Sequence, residues 1–399
     1  MQYLLWGAMA LELALLLTIL IHSRAHVRQS FPGSNGTGTN GTWHWPRYPR
    51  VAVIVPLTGN SPEMPAALES LFTQTYPNYE ILLVSRDAED SATPLVREVL
   101  SRHARARHII SGPATTCSQK NHNLLAGVRA LNGEGEILVF CDSTHKAPPN
   151  FLADLIHPLV TGPAVMSTGF HRIIPGDSRI ATIGMLQTVL SIHLLHGIHT
   201  IVMPWGGATA IYKNVFHEYE VEGALGENVL DDFPLGQRLL RYGIRTKPVA
   251  TAILNTELSG QTSRNWETWL TRQLLYLKYC MPLTWLASSL LAVVIVGPVI
   301  FSVLASLGGI LGLVPPPLAL LGLGFLMTIT ALGGWIRSLV PVPIPMGRWL
   351  LAFYANMFMA FWCYIKTWLT GIIAWRGISY RVTWGGRVKE IIVSPFYKF

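Results

Sequence analysis

Glu136-Ile-Leu-Val-Phe-Cys-Asp-Ser-Thr144 is the stretch on which the fold turns. Its apolar run has the length of a buried strand and ends abruptly in an acid, Asp142. In open α/β sheets, ligands bind just beyond the carboxyl ends of strands. A carboxylate placed there can hold a hard divalent cation against a diphosphate. Buried strands also end in Asp at ordinary turns, so the neighbouring segments decide what this one means.

Upstream, Val51-Ala-Val-Ile-Val55 is a second buried-strand pattern, closed by Pro56. Tyr79-Glu-Ile-Leu-Leu-Val84 is a third and runs into Ser-Arg-Asp87. A short strand is expected over 107–110. Helical spacing covers 65–73, 94–103 and 120–131. Strands alternating with helices predict a Rossmann-like α/β domain with a mainly parallel sheet and crossover helices. No internal repeat is visible.

The chain of 399 residues is 50% hydrophobic and only 13% charged, with a mean hydropathy of +0.36. That is too apolar for an ordinary soluble enzyme. The excess is concentrated. Tyr3 to Ile21 is one apolar run, interrupted only by Glu12, and long enough to cross a bilayer. No clear cleavage site follows it, so it reads as an uncleaved anchor. A second apolar block, about 281–372, is broken at Pro315-Pro316-Pro317 and at Pro341 to Pro345. Spans are expected near 282–305, 317–338 and 349–371. The resulting organisation is an anchor (1–24), a linker (25–49), an α/β domain (50–278), transmembrane or re-entrant helices (279–373) and a cytoplasmic tail (374–399).

The net charge of +8 raises nucleic acid as a partner. The cations sit mostly in the soluble region and beside the apolar runs, so none is expected. Arg24 and Arg28 after the first run place the α/β domain in the cytoplasm by the positive-inside rule. Cys117, Cys141, Cys280 and Cys363 lack metal-type spacing and read as free thiols. The Gly/Asn/Thr-rich 32–45 stretch holds formal glycosylation sequons at Asn35 and Asn40, which stay unmodified in a cytoplasmic linker. Anchor plus three C-terminal spans would put the tail opposite the α/β domain, yet Arg376, Arg381, Arg387 and Lys389 argue for the cytoplasmic side. One apolar segment is then re-entrant or lies flat.

Three acidic points fall at strand or loop ends: Asp87 with Asp90 nearby, Asp142, and the pair Asp231-Asp232. Among them lie Lys120, Asn121, Asn123, the Gly206-Gly207 turn and Arg272. This order resembles the membrane-bound inverting glycosyltransferases of the GT-A fold, and specifically the ceramide glucosyltransferase-like branch. Val51 to Gly59 looks like that family's first strand and nucleotide loop, which implies nucleotide-sugar contacts at Pro56, Leu57 and Thr58. Asn78 to Asp87 is similar to its second strand and first aspartate. Cys141-Asp-Ser-Thr144 resembles the branch's metal site, and Leu230-Asp-Asp-Phe233 its third acidic motif. Trp375 to Ile391 looks like its C-terminal tail. Two departures stand out. The usual Gln/Arg-x-x-Arg-Trp is represented by Trp269-Leu-Thr-Arg-Gln273, which keeps only Arg272. Asp142-Ser-Thr lacks a second acid.

The resemblance implies transfer from a UDP-sugar to a membrane lipid hydroxyl with inversion. Inversion needs a base for the acceptor proton; Asp232 is the choice, with Asp231 orienting it or acting itself. A divalent metal (Mg2+ or Mn2+) at Asp142, with Lys120 and Arg272, would stabilise the leaving diphosphate. Asp87 would contact uracil or ribose. Each has a plainer reading: helix-start acids for Asp231-Asp232, a surface cation for Lys120, a membrane-flanking one for Arg272, a turn acid for Asp87.

His193, His196 and His199 recur at every third position of the apolar stretch 186–203. A metal site is the sharp reading. The favoured one is an amphipathic helix on the membrane surface, its histidines at the polar edge and His193 or His196 towards the acceptor. Gly206-Gly207 reads as an acceptor-side loop or a plain turn. The alternatives to a single-sugar lipid transferase are a processive polysaccharide synthase and a non-catalytic scaffold with a degenerate GT-A domain. The membrane address is the plasma or inner membrane in a bacterium and the Golgi or ER in a eukaryote.

Overall fold

The computed structural model describes residues 2–31, 43, 45–131, 133, 135–199 and 202–393; Asn35 and Asn40 lie outside them. In chain order the elements are α1 (Gln2–Gln29), β1 (Val51–Pro56), α2 (Met64–Leu71), β2 (Tyr79–Ser85), α3 (Thr93–Arg102), β3 (Ala106–Ile110), α4 (Gln119–Arg129) and β4 (Ile137–Cys141). There follow α5 (Phe151–Thr161), β5 (Met166–Pro175), α6 (Ile180–His196), β6 (Ala208–Tyr212), α7 (Lys213–Glu218), α8 (Val221–Gly226), α9 (Asp232–Leu240) and β7 (Lys247–Leu258). The chain ends with α10 (Ser263–Cys280), α11 (Pro282–Ile310), α12 (Pro316–Arg337), α13 (Met346–Leu369), β8 (Ile372–Trp375), β9 (Ile378–Val382) and β10 (Val388–Val393).

Two compact units form. One comprises residues 32–173, 199–257 and 371–399; the other comprises 1–31, 174–198 and 258–370. This division differs from the expected one. Residues 174–198 and 258–278 pack with the helices rather than the sheet, and the tail packs with the α/β unit.

The α/β unit is built on a seven-stranded sheet ordered β3-β2-β1-β4-β6-β5-β7. β1 pairs in parallel with β2 and β4, and β2 with β3. β6 runs antiparallel to β4 and β5. The four strands visible in the sequence form the parallel half. Val51, Ile54, Ile81, Leu83, Ile137 and Val139 are fully buried, because a parallel sheet covered by helices on both faces sees no water. From β1 the chain winds outward to β2 and β3, then returns to place β4 on β1's other side. That reversal is a topological switch point, and the crevice beyond the carboxyl ends of β1 and β4 is where such sheets bind ligands. A separate three-stranded sheet, β10-β9-β8, forms from the tail.

In the helical unit, α1 from Trp6 on, α11 and α12 are long and apolar enough to cross a membrane; among the described residues they are the three that are. The third expected C-terminal span is not one of them: α13 carries Arg348, Asn356 and Lys366. Glu12 is 1% exposed, so the one acid of the first run faces protein. The amphipathic surface helix expected over 186–203 is also corrected. α6 stops at His196, leaving His199 and Met203 beyond it, and residues 181–190 are buried on all sides.

Candidate active site

Three segments meet in the crevice. The first is the end of β4. Asp142 follows Cys141, and its N–H donates to Gly207 O, 3.2 Å. The second is the start of α4. Ser118 caps this helix by accepting from Asn121 N, 3.2 Å, which fixes where the next side chains point. The third is the loop ahead of α9. Asn121 Nδ2 ties that loop down by donating to Leu225 O (3.0 Å), Asn228 O (3.0 Å) and Leu230 O (2.8 Å). Asn123 performs a similar service at the ends of β1 and β2, donating to Leu57 O and Val84 O, both 3.1 Å. Both asparagines are fully buried; a buried amide has to find partners, and here its partners are the loops that carry the site.

Lys120 is the hub. Its Nζ lies 2.9 Å from Asp142 Oδ1 and 3.0 Å from Asp231 Oδ2. Burial works against its charge, but Asp142 and Asp231 outweigh burial and raise the ammonium pKa. Asp231 is 4% exposed, and its carboxylate occupies the space that a side chain at position 206 would need. A Cβ there would stand 2.1 Å from Asp231 Oδ2. Glycine at 206 is therefore required by Asp231, and the room beside Gly207 is taken by the Trp205 ring. Asp232 opens α9 and accepts from Phe233 N, 2.7 Å. Its carboxyl is pushed up to about 7, first by burial, then by the negative charge of Asp231, with Lys120 opposing. Two adjacent acids thus differ in role: Asp231 is committed to an ion pair, while Asp232 is poised to exchange a proton near neutral pH.

At the end of β1, Leu57 is held through both of its backbone groups. Its side chain is buried core, and its N–H donates to Val84 O, 2.7 Å. Thr58 is buried with its hydroxyl turned onto Leu57 O. Asp87 lies 3.6 Å from Arg86 and keeps a buried Oδ1 without a hydrogen-bond partner, an acceptor suited to a ribose hydroxyl or a base N–H. Asp90 is structural: its Oδ1 accepts from Gly59 N and Ala92 N.

His145 is a site residue that sequence reasoning missed. Its Nε2 is 3.8 Å from Asp142 Oδ2, too far for a hydrogen bond, while Nδ1 and the Thr256 hydroxyl are 2.9 Å apart. Thr256 also bonds His171 Nδ1, 2.7 Å, and His171 stacks on Trp205 with centroids 4.8 Å apart. Burial, with help from Lys120, lowers the His145 pKa and favours the neutral imidazole a metal requires. No group of three His, Cys, Asp or Glu among the described residues is arranged to hold a metal. Asp142 Oδ2 and His145 Nε2 are an oxygen and a nitrogen donor that fit a divalent cation.

Lys120, Asp142, Asp231 and Asp232 are thus brought together, and Pro56, Leu57, Thr58 and Asp87 stand at the ends of β1 and β2. Arg272 lies on α10, and His193 and His196 on α6, in the helical unit. There His193 meets His26 edge-on, with centroids 5.5 Å apart.

The model of glycosyl transferase family 21 matches residues 10–388. Ceramide glucosyltransferase 1 of Caenorhabditis elegans is 22% identical over 216 residues, 50% of this chain and 44% of that protein, so the match spans under half of the relative's length. Among solved structures, the mannosyltransferase PcManGT from Pyrobaculum calidifontis in complex with GDP-Man and Mn2+ is similar over 91% of this chain and 97% of that one, with 16% identity and a TM-score of 0.47. The glucosyl-3-phosphoglycerate synthase of Mycobacterium tuberculosis is similar over 59% and 85%, with 18% identity and a TM-score of 0.34.

Proposed function

The chain belongs to glycosyl transferase family 21, and on that premise we propose that it is a membrane-bound hexosyltransferase that moves one sugar from a UDP-sugar to a lipid hydroxyl with inversion. The observation that carries this reading is the Lys120 ammonium held between Asp142 and Asp231, with the raised Asp232 carboxyl beside them. A leaving diphosphate needs positive charge at the end of β4, and an acceptor hydroxyl needs a base close by.

Thr58 and Asp87 flank the nucleotide, and the unpartnered Asp87 oxygen takes one of its donors. Lys120 neutralises the charge that grows on the departing UDP. Asp232 removes the acceptor proton as the hydroxyl attacks the anomeric carbon, and Asp231 holds Lys120 in place. Asp142 and His145 would hold a divalent cation, which when bound supplies further positive charge to the diphosphate.

The acceptor class is supported by three helices long and apolar enough to share a bilayer with a lipid. Membrane topology follows by parity. The tail and the α/β unit are one compact body, which supports an even number of crossings between 258 and 370. In this reading α11 and α12, the two helices of that stretch long and apolar enough to cross, are the crossings. Arg24 and Arg28 put the shared side in the cytoplasm. A cysteine at Lys389 is then shielded from membrane-impermeant thiol reagents in intact cells; ready labelling reverses the orientation.

Purified protein supplied with UDP-hexoses and membrane lipid extract should yield lipids heavier by one hexose, read by mass spectrometry. No lipid product with any UDP-hexose refutes the reading; a ladder of several sugars per lipid replaces it with a polymerase.

A further inference from the structure

The tail touches two of the three segments of the site, the start of α4 and the loop ahead of α9, and also the loop after β1. At one tip of its sheet, the β8–β9 turn, Arg376 donates through a guanidinium N–H to Thr58 O. On the sheet itself, Tyr380, 1% exposed, accepts from the N–H of Gln119, the residue before Lys120, at 3.1 Å. At the other tip, Gly386 O accepts from Val229 N at 3.0 Å, Val388 N donates to Glu227 O at 2.8 Å, and Arg387 lies 3.3 Å from Glu227, just ahead of Asp231. The chain leaves the α/β unit at 257 and returns at 371 to make these contacts.

The Arg376 turn is unusual in one respect. Trp375 pairs with Ile378, so Arg376-Gly377 is a two-residue hairpin loop. Both residues are left-handed, with φ of 44° and 74°. Such a turn suits Asn-Gly or Gly-Gly; a long β-carbon-bearing side chain is disfavoured there. Strain of this kind is kept where the side chain serves something beyond the turn. The guanidinium has five N–H donors, and Thr58 O does not exhaust them. It stands half-buried at the nucleotide loop, at a point in the chain far from Lys120.

We propose that Arg376 is a donor-binding residue: the tail carries its guanidinium to the nucleotide loop, where it contacts a nucleoside diphosphate and supplies a cation that the degenerate Trp269-Leu-Thr-Arg-Gln273 motif does not guarantee. This rests on the reading of Thr58 as part of the nucleotide site. The full-length protein in detergent tests it by calorimetric titration with UDP and with GDP. Arg376→Gln removes the charge and ends two bonds short of Thr58 O, so a purely structural role would lower the melting temperature together with the affinity. The expected result is UDP binding about 10–100-fold weaker, the range of a lost charge-assisted hydrogen bond. It is accompanied by an unchanged melting temperature, a raised KM for the donor and an unchanged KM for the lipid. Arg376→Lys should recover part of the affinity. Wild-type UDP affinity in Arg376→Gln overturns this inference and leaves the proposed function standing. A wild-type protein that binds neither UDP nor GDP overturns the proposed function, and this inference with it.

Discussion

Asn121 and Thr182 are both fully buried polar residues, and they belong to two differently written parts of the molecule. Asn121 sits at the crevice and spends one amide on three backbone carbonyls of the acid loop. Thr182 sits on α6 amid residues 181–190, all buried, and its hydroxyl reaches no further than Asp177, five residues back in the same chain. In the α/β unit, helices such as α2 and α3 keep one face to water, so polarity marks a face and a buried polar group marks a task. In the helical unit, apolar residues lie on all sides, and the sequence announces a helix without announcing what it faces. The first kind of region reports its chemistry; the second reports only its length and its environment.

The largest effect should come from the crevice. Asp232→Asn removes the base while keeping shape, and should lower kcat about 10²–10⁴-fold with UDP affinity retained in a binding titration. Turnover like the wild type would hand the base role to Asp231 or dissolve the assignment. Asp231→Asn serves as the counter-test: it frees Lys120 from one of its two ion pairs, so loss of donor affinity is its expected signature.

The contrast also explains what was legible. The parallel strands could be read because each is a short apolar run with turn residues at its ends, and Asp142, Lys120 and Asp231-Asp232 could be read because acids and a lysine punctuate them. β5, β6 and β7 were not read. β6 is Ala-Thr-Ala-Ile-Tyr, small residues whose burial comes from close packing rather than from large apolar side chains. β5 contains Gly169, where a Cβ would stand 2.1 Å from Ala252 O; the glycine that weakens a strand signal is what lets β5 and its neighbour approach. The tail sheet was hidden differently. Its alternation over Ile378-Ser-Tyr-Arg-Val382 was present, but a charged stretch after apolar helices reads as a flanking tail until its partners are known. His145 was hidden because one histidine three residues from an acid carries no signal without the turn that aims it.

The next effect tests the metal. Asp142→Ala should abolish activation by added Mn2+ or Mg2+ and weaken UDP-sugar binding, while His145→Ala should shift metal activation to higher ion concentrations and leave metal-free UDP binding unchanged. If chelator leaves the wild type fully active, Asp142 and His145 hold no required ion, and Lys120 alone must answer the diphosphate charge.

The pH profile follows. Asp232 acts as a base only when ionised, so kcat should fall about tenfold for each pH unit well below its raised value of about 7 and level off above it. Stability moves the other way. The folded state keeps a proton that the unfolded chain, with an ordinary carboxylate, has already lost, so this group's contribution declines as pH rises from about 4 to about 7. Asp232→Asn should flatten that decline in thermal melts. A kcat profile with no limb near neutrality would separate the base from Asp232.

The smallest effect belongs to α6, where the helical unit has least to say in sequence. Leu194 and Leu195 are neighbours in the apolar run, but Leu194 is 5% exposed and Leu195 42%. A glutamate at 194 would bury an unpaired charge and cost folding, which teaches nothing about the acceptor. A glutamate at 195 leaves the packing intact and alters only the outer edge. Full burial of a leucine is worth about 1.5–3 kcal/mol. A side chain already this exposed can offer a lipid only a part of that, about 1 kcal/mol, or roughly a fivefold rise in KM for the lipid. KM for the UDP-sugar should stay where it was, because the donor is held in the crevice by polar contacts that Leu195 does not make. Equal rises in both constants would mean that the edge of α6 supports the fold and meets no acceptor, and the lipid path would then have to be sought along α10 or α13.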